Sequence, residues 1–167
     1  MSPRILKQRK GFTLIEIIIY LALFGIFMSG AIAMSYNMFE SFSRSRTRML
    51  LQEEGNFLIA KMGWALSSIQ GVNVPVTTGS ILSVNKVDVS IGAVTIDIDP
   101  VSGNDMRLAR GASGTQIINS ASVKVSNLVF THGMNPENVS ASFTLSAVTD
   151  NGVLLSQNFF MTKYMRK

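Results

Sequence analysis

Residues 12–39 form one apolar run whose only charged side chain is Glu16. The run is 28 residues long, about 42 Å as a helix at 1.5 Å per residue, which exceeds a hydrocarbon core of roughly 30 Å. It is therefore expected to span a membrane. An ionisable group inside such a span is costly unless it is paired or functional, so Glu16 needs a neutralising partner. Gly25, Ser29 and Ala33 recur every four residues and line up small side chains on one face, where a second helix can approach closely.

Ahead of the run, residues 1–11 carry Arg4, Lys7, Arg9 and Lys10 and no acid. A secretory signal has a similar basic start, but its apolar region is shorter and ends at a small-residue cleavage site. The order seen here, a basic leader, Gly11, Phe12, a Thr13-Leu14-Ile15 run and then Glu16, resembles the type III signal of type IV prepilins and type II secretion pseudopilins.

That resemblance implies roles for the matching residues. Gly11 would precede the scissile bond cut by a prepilin peptidase, and Phe12 would become the new N-terminus and be N-methylated. Glu16 would partner the Phe12 amine of a neighbouring subunit during filament assembly. The pairing is physically sound, because each charge is costly alone in a low dielectric and the two attract strongly there. The other reading is an uncleaved anchor whose Glu16 snorkels to the interface, carrying an exported β domain that acts as a binding module.

The formal charge of +5 falls to +1 without the four leader charges, so the basic balance belongs to the leader and nucleic acid is not an expected partner. With no cysteine, neither a lipidated anchor nor a disulfide is available, and the exported domain must rely on packing. Arg44, Arg46 and Arg48 follow the span, so the positive-inside bias is narrow; the resemblance places the leader in the cytoplasm and the C-terminal domain outside.

Beyond the span, Leu51, Leu58, Met62, Ala65 and Ile69 form a stripe at helical spacing, and the helix is expected to continue through residues 40–70. Gly55 and Gly63 read as locally soft positions, with Gly71 and Pro75 ending the helix. Trp64, on a flank, reads as a packing residue.

After residue 80 the period becomes two. Val87, Val89 and Ile91 alternate with polar residues, as do Val94, Ile96 and Ile98, with Gly92-Ala93 as the expected turn. Residues 100–105 read as a loop, and 106–109, 116–118, 122–131 and 139–149 as strands. In the last hairpin, a three-residue loop at 150–152 pairs Phe143 with Phe159, Ala147 with Leu155 and Ala141 with Met161. A two-residue loop would mix core and solvent sides.

The expected fold is thus α+β: residues 1–11 a leader, 12–39 the transmembrane half of a long helix, 40–70 its amphipathic half, and 71–167 an antiparallel β domain. This is the pilin-like arrangement that the resemblance implies. The C-terminal half, from Val84 through Met106-Arg107-Leu108 and then residues 123–130 and 139–145, is similar to minor pseudopilins of the J type and related minor pilins.

Catalytic chemistry is not expected. His132, the one histidine, reads as solvated or hydrogen-bonded. Asp97, Asp99 and Asp105 are the acid cluster from which a calcium site would have to be built, but their spacing is not that of an EF-hand loop and a solvated sheet face is the preferred reading. Asn138-Val139-Ser140 fits a glycosylation triplet. Arg107, Arg110 and Lys124 would form a small basic patch lacking the interleaved aromatics of a strand-binding groove. No cofactor is expected. The expected partners are the prepilin peptidase, other pilin or pseudopilin subunits, and cytoplasmic membrane lipid before assembly into an envelope filament.

Overall fold

The structure, a computed structural model, describes residues 11–88, 92–101, 104–111, 114–135 and 137–165, with the side chains of residues 87, 88, 92 and 93 left out. Helix α1 runs from Leu14 to Ala65. The chain divides into two compact units, one ending at Phe42 and one comprising Ser43–Lys167. The leader, residues 1–10, lies outside the described residues.

In the first unit the helix is almost wholly exposed, from Phe12 to Phe39. It is long and apolar enough to cross a membrane, and among the described residues its apolar side chains find no core. An apolar surface of this extent is stable only in lipid or against other protein.

The second unit is α+β. Among the described residues it holds the C-terminal part of α1 and nine strands: β1 (Ile69–Val74), β2 (Thr78–Gly79), β3 (Leu82–Asp88), β4 (Gly92–Val101), β5 (Asp105–Arg110), β6 (Thr115–Ile117), β7 (Lys124–Met134), β8 (Glu137–Val148) and β9 (Leu154–Tyr164). They form two antiparallel sheets rather than one, in the orders β1-β3-β4-β5-β6 and β2-β7-β8-β9.

A single core joins helix and sheets. Leu51, Leu58, Met62 and Ala65 meet Leu82, Val84, Ile96, Ile98 and Met106 of one sheet and Phe130, Val139, Phe143 and Leu145 of the other. The amphipathic stripe therefore buries itself on strand faces of period two, which is how an α+β domain removes both apolar surfaces from water.

The final hairpin has the expected register: Phe143 faces Phe159, Ala147 faces Leu155 and Ala141 faces Met161. Gly152, at φ 77°, takes the left-handed position that a three-residue loop needs. On β7 the register shifts between Ser126 and Val129, and Asn127 adopts φ 52°. This bulge changes the phase of the strand, so that Val125, Leu128 and Phe130 all point inward.

Three expectations are corrected. Helix α1 is over at Ala65, not near residue 70, and Ile69 opens β1 instead of closing the helical stripe. Ser68, at φ 56°, reverses the chain without a glycine. Gly92 and Ala93 pair with Asp88 and Val87 inside the β3–β4 ladder, so they are strand residues and not the expected turn; Val89 and Ile91 lie outside the described residues. The facing of Leu82 with Ile98 and Val84 with Ile96 sets this register, since sliding it would move buried residues to the solvent side. Pro100 likewise belongs to a strand, paired with Met106.

Candidate assembly site at the helix head

Thr13 immediately precedes α1 and Glu16 is the third helical residue, the spacing of a capping box. The Glu16 backbone N–H donates to Thr13 Oγ1 at 3.4 Å, supplying one of the helix-start donors with an acceptor. The Glu16 carboxylate does not complete the reciprocal half of the box. Its Oε1 instead accepts from the Tyr20 hydroxyl at 3.3 Å, one turn along the helix. The acid is thereby held to the helix flank, in the first turn, where the positive end of the helix dipole favours a negative charge. Tyr20 escaped the sequence reading, although its i+4 spacing from Glu16 was a usable signal.

Gly11 and Phe12 are exposed ahead of the helix, and among the described residues nothing lies within 4 Å of a Cβ built on Gly11. Gly25, Ser29 and Ala33 are exposed too, with open space beside Gly25; the Ser29 hydroxyl donates to the Ile26 carbonyl at 2.8 Å, so its polar atom is satisfied within its own helix. These positions leave a face on which another helix finds no bulky side chain in its way.

Two acids of the expected cluster, Asp99 and Asp105, are engaged by cations. Asp99 is gripped by Arg107, directly across the β4–β5 ladder, through two charge-assisted hydrogen bonds: Nε donates to Oδ1 at 2.9 Å and Nη2 to Oδ2. Asp105 accepts from Lys124 Nζ at 3.0 Å and from the Asn119 side chain at 3.1 Å. These contacts hold the Asp105 carboxyl below its usual range, the Asn119 hydrogen bond contributing most and the Lys124 hydrogen bond next. Asp97 stands across from Ala109. No three acidic or histidine side chains converge on a metal position among the described residues. The face therefore carries one ion pair across the β4–β5 ladder and a second between β5 and β7 of the other sheet, and Arg107 and Lys124, both still partly exposed, are occupied by them.

His132 is mostly buried, and its Nε2 has no hydrogen-bond partner among the described residues; the nearest acid, Glu137 Oε1, is 3.8 Å away. The expectation of a solvated or hydrogen-bonded ring fails at that atom. Trp64 closes the C-terminal end of α1: Lys86 Nζ lies 4.2 Å from the centre of its ring and donates to its carbonyl at 2.7 Å.

A family described as a prokaryotic N-terminal methylation motif matches residues 6–32. The match takes in the end of the leader, Gly11, Phe12, Glu16, Gly25 and Ser29. The chain accordingly carries a type IV pilin-like prepilin signal at the head of a helix long and apolar enough to cross a membrane, followed by an α+β domain. No curated protein and no solved structure matches the chain.

Proposed function

We propose that this chain is a minor pilin or minor pseudopilin, a structural subunit of a type IV pilus or a type II secretion filament. In this reading prepilin peptidase cuts between Gly11 and Phe12 and the same enzyme methylates the Phe12 amine. The subunit waits in the cytoplasmic membrane, with its leader end inside and its β domain outside, until it packs by its N-terminal helix into the filament. The observation that carries the reading is Glu16, the single carboxylate of the apolar run, standing five residues after Gly11 within the methylation motif.

The chemistry is a charge exchange. Cleavage creates an ammonium at Phe12, and a neighbouring Glu16 neutralises it once both are desolvated between packed helices. Gly25, Ser29 and Ala33 are the positions where the partner helix approaches.

Coexpression with a prepilin peptidase tests the processing step. Intact-mass analysis should find a chain that has lost residues 1–11 and begins at Phe12 with one added methyl group. A mature protein that keeps its leader would overturn the reading and leave a membrane-anchored binding module.

A further inference from the structure

The β8–β9 hairpin tip lies beside the first turn of the second unit, just after the apolar run ends. The Ser43 hydroxyl donates to Asp150 Oδ2 at 3.4 Å, turning the one acid of the tip toward the helix. Beside the loop residue Asn151, itself exposed, stand three aliphatic side chains: Val148 and Leu154, paired across the ladder, are 62% and 65% exposed, and Val153 is 36% exposed. Three large aliphatic side chains at one hairpin end, next to a chain segment only four residues past Phe39, are poorly placed for water.

Arg46 and Arg48 occupy the same stretch of helix as Ser43, both exposed. At 100° per residue they lie on opposite sides of it, so the positive charge surrounds the helix instead of facing one partner surface. A charged collar beside an apolar tip is the chemistry of an interfacial segment, with aliphatic groups at the acyl boundary and guanidinium groups on phosphate oxygens.

We infer that the β8–β9 hairpin tip, with Val148, Val153 and Leu154, docks on the outer leaflet of the membrane that holds the helix, and that Arg46 and Arg48 bind its anionic phospholipid headgroups. The inference rests on the proposed membrane-held subunit, and assigns its β domain a lipid contact of its own. Such a contact would hold the domain against the bilayer before assembly, and extraction into a filament would have to break it.

The absence of cysteine makes the test clean, because each introduced thiol is the only one. The full chain is reconstituted in phosphatidylethanolamine vesicles containing phosphatidylglycerol, with a spin label at Leu154→Cys, Val153→Cys, Thr162→Cys or Ile26→Cys. Accessibility to oxygen and to a water-soluble nickel chelate then reports depth. The Leu154 and Val153 labels should favour oxygen, at interfacial depth. The Thr162 label, about 26 Å further along β9, should favour nickel. Phosphatidylcholine vesicles, or Arg46→Gln with Arg48→Gln, should raise nickel access at Leu154 several-fold.

A deep Ile26 label with Leu154 as wet as Thr162 would overturn the docking inference while leaving the anchored helix intact. If the Ile26 label is in water as well, anchoring and docking both fail. Protection of Leu154 from both reagents, growing with protein density, would mean that a second copy covers the tip and would also overturn it. Equal depth in neutral vesicles and in the arginine variant would remove Arg46 and Arg48 from the contact.

Discussion

The ring of Phe159 fills the place that a side chain on Gly55 would need. A Cβ added at Gly55 would fall on that ring, which is itself stacked on Phe143 at a centroid separation of 5.4 Å and an interplanar angle of 14°. Gly55 is buried between Leu51 and Leu58, at the step where the helical stripe skips from one apolar residue to the next across seven positions. The skipped position is therefore not a soft spot in the helix. The sheet supplies the missing side chain from the opposite side.

Gly55→Ala is accordingly expected to destabilise the fold although alanine is the better helix former. The helix gain is about 1 kcal/mol, whereas overpacking a dense core costs about 1–3 kcal/mol. In a Phe159→Leu background the same change should become neutral or stabilising, because the ring is gone. Denaturant unfolding of the four proteins in detergent checks this, and additive effects would refute the contact as the cause.

Lys86 presents a second test. It is only 8% exposed, and its ammonium donates to the Trp64 carbonyl and, at 3.1 Å, to Ser67 Oγ while lying over the Trp64 ring. A cation at a helix C-terminus is favoured by the dipole, and here it joins the Ser67 N–H and hydroxyl, which donate to the same carbonyl at 3.1 and 2.6 Å. Lys86→Met keeps most of the aliphatic volume but removes the donor, and should cost about 1–3 kcal/mol, read from the urea midpoint. Trp64→Leu, which keeps the carbonyl but loses the ring, should cost less.

These two contacts show where sequence reading works and where it stops. The last hairpin could be registered because one pairing kept Phe143, Ala147 and Ala141 with apolar partners and the other did not. The end of α1 could not, because Ile69 continues the helical spacing while Ser68, an ordinary residue, makes the reversal. Lys86, 22 residues away from Trp64, adds a hydrogen bond to that helix end, and no local pattern encodes it. The two-sheet division was hidden for a similar reason: the second sheet takes in β2, two residues long and paired with Thr131 and Phe130. At the helix head, Gly11, Phe12 and Glu16 were legible as a motif, while Tyr20 required knowing which way the carboxylate turns.

Asp105 predicts how acid acts on the β domain. Its folded carboxyl is depressed below 3.8 by Asn119 and Lys124, so its contribution to stability is present above the unfolded value and is lost as pH falls through the folded one. Melting temperature should therefore drop below about pH 4 partly through this group. Asp105→Asn should lower stability slightly at neutral pH and flatten that acid limb. An unchanged limb in the variant would show that other carboxylates govern it.

Glu16 and Tyr20 separate processing from assembly. In the proposed function, cleavage at Gly11 is a reaction of the monomer, whereas Glu16 acts on a neighbour's Phe12 amine after the helices pack. Glu16→Val makes the span more apolar, so the chain should still insert and still be cut; what it loses is the partner of a buried ammonium, a loss of several kcal/mol in a low dielectric. Cross-linking to partner subunits and incorporation into filaments should fall accordingly. Tyr20→Phe keeps the charge and removes only the 3.3 Å hydrogen bond that orients the carboxylate, so it should be processed normally and assemble at an intermediate level. Normal incorporation of Glu16→Val would remove the pairing role altogether. Wild-type incorporation of Tyr20→Phe beside a defective Glu16→Val would keep the charge pair and show that the carboxylate finds its geometry from the partner helix instead.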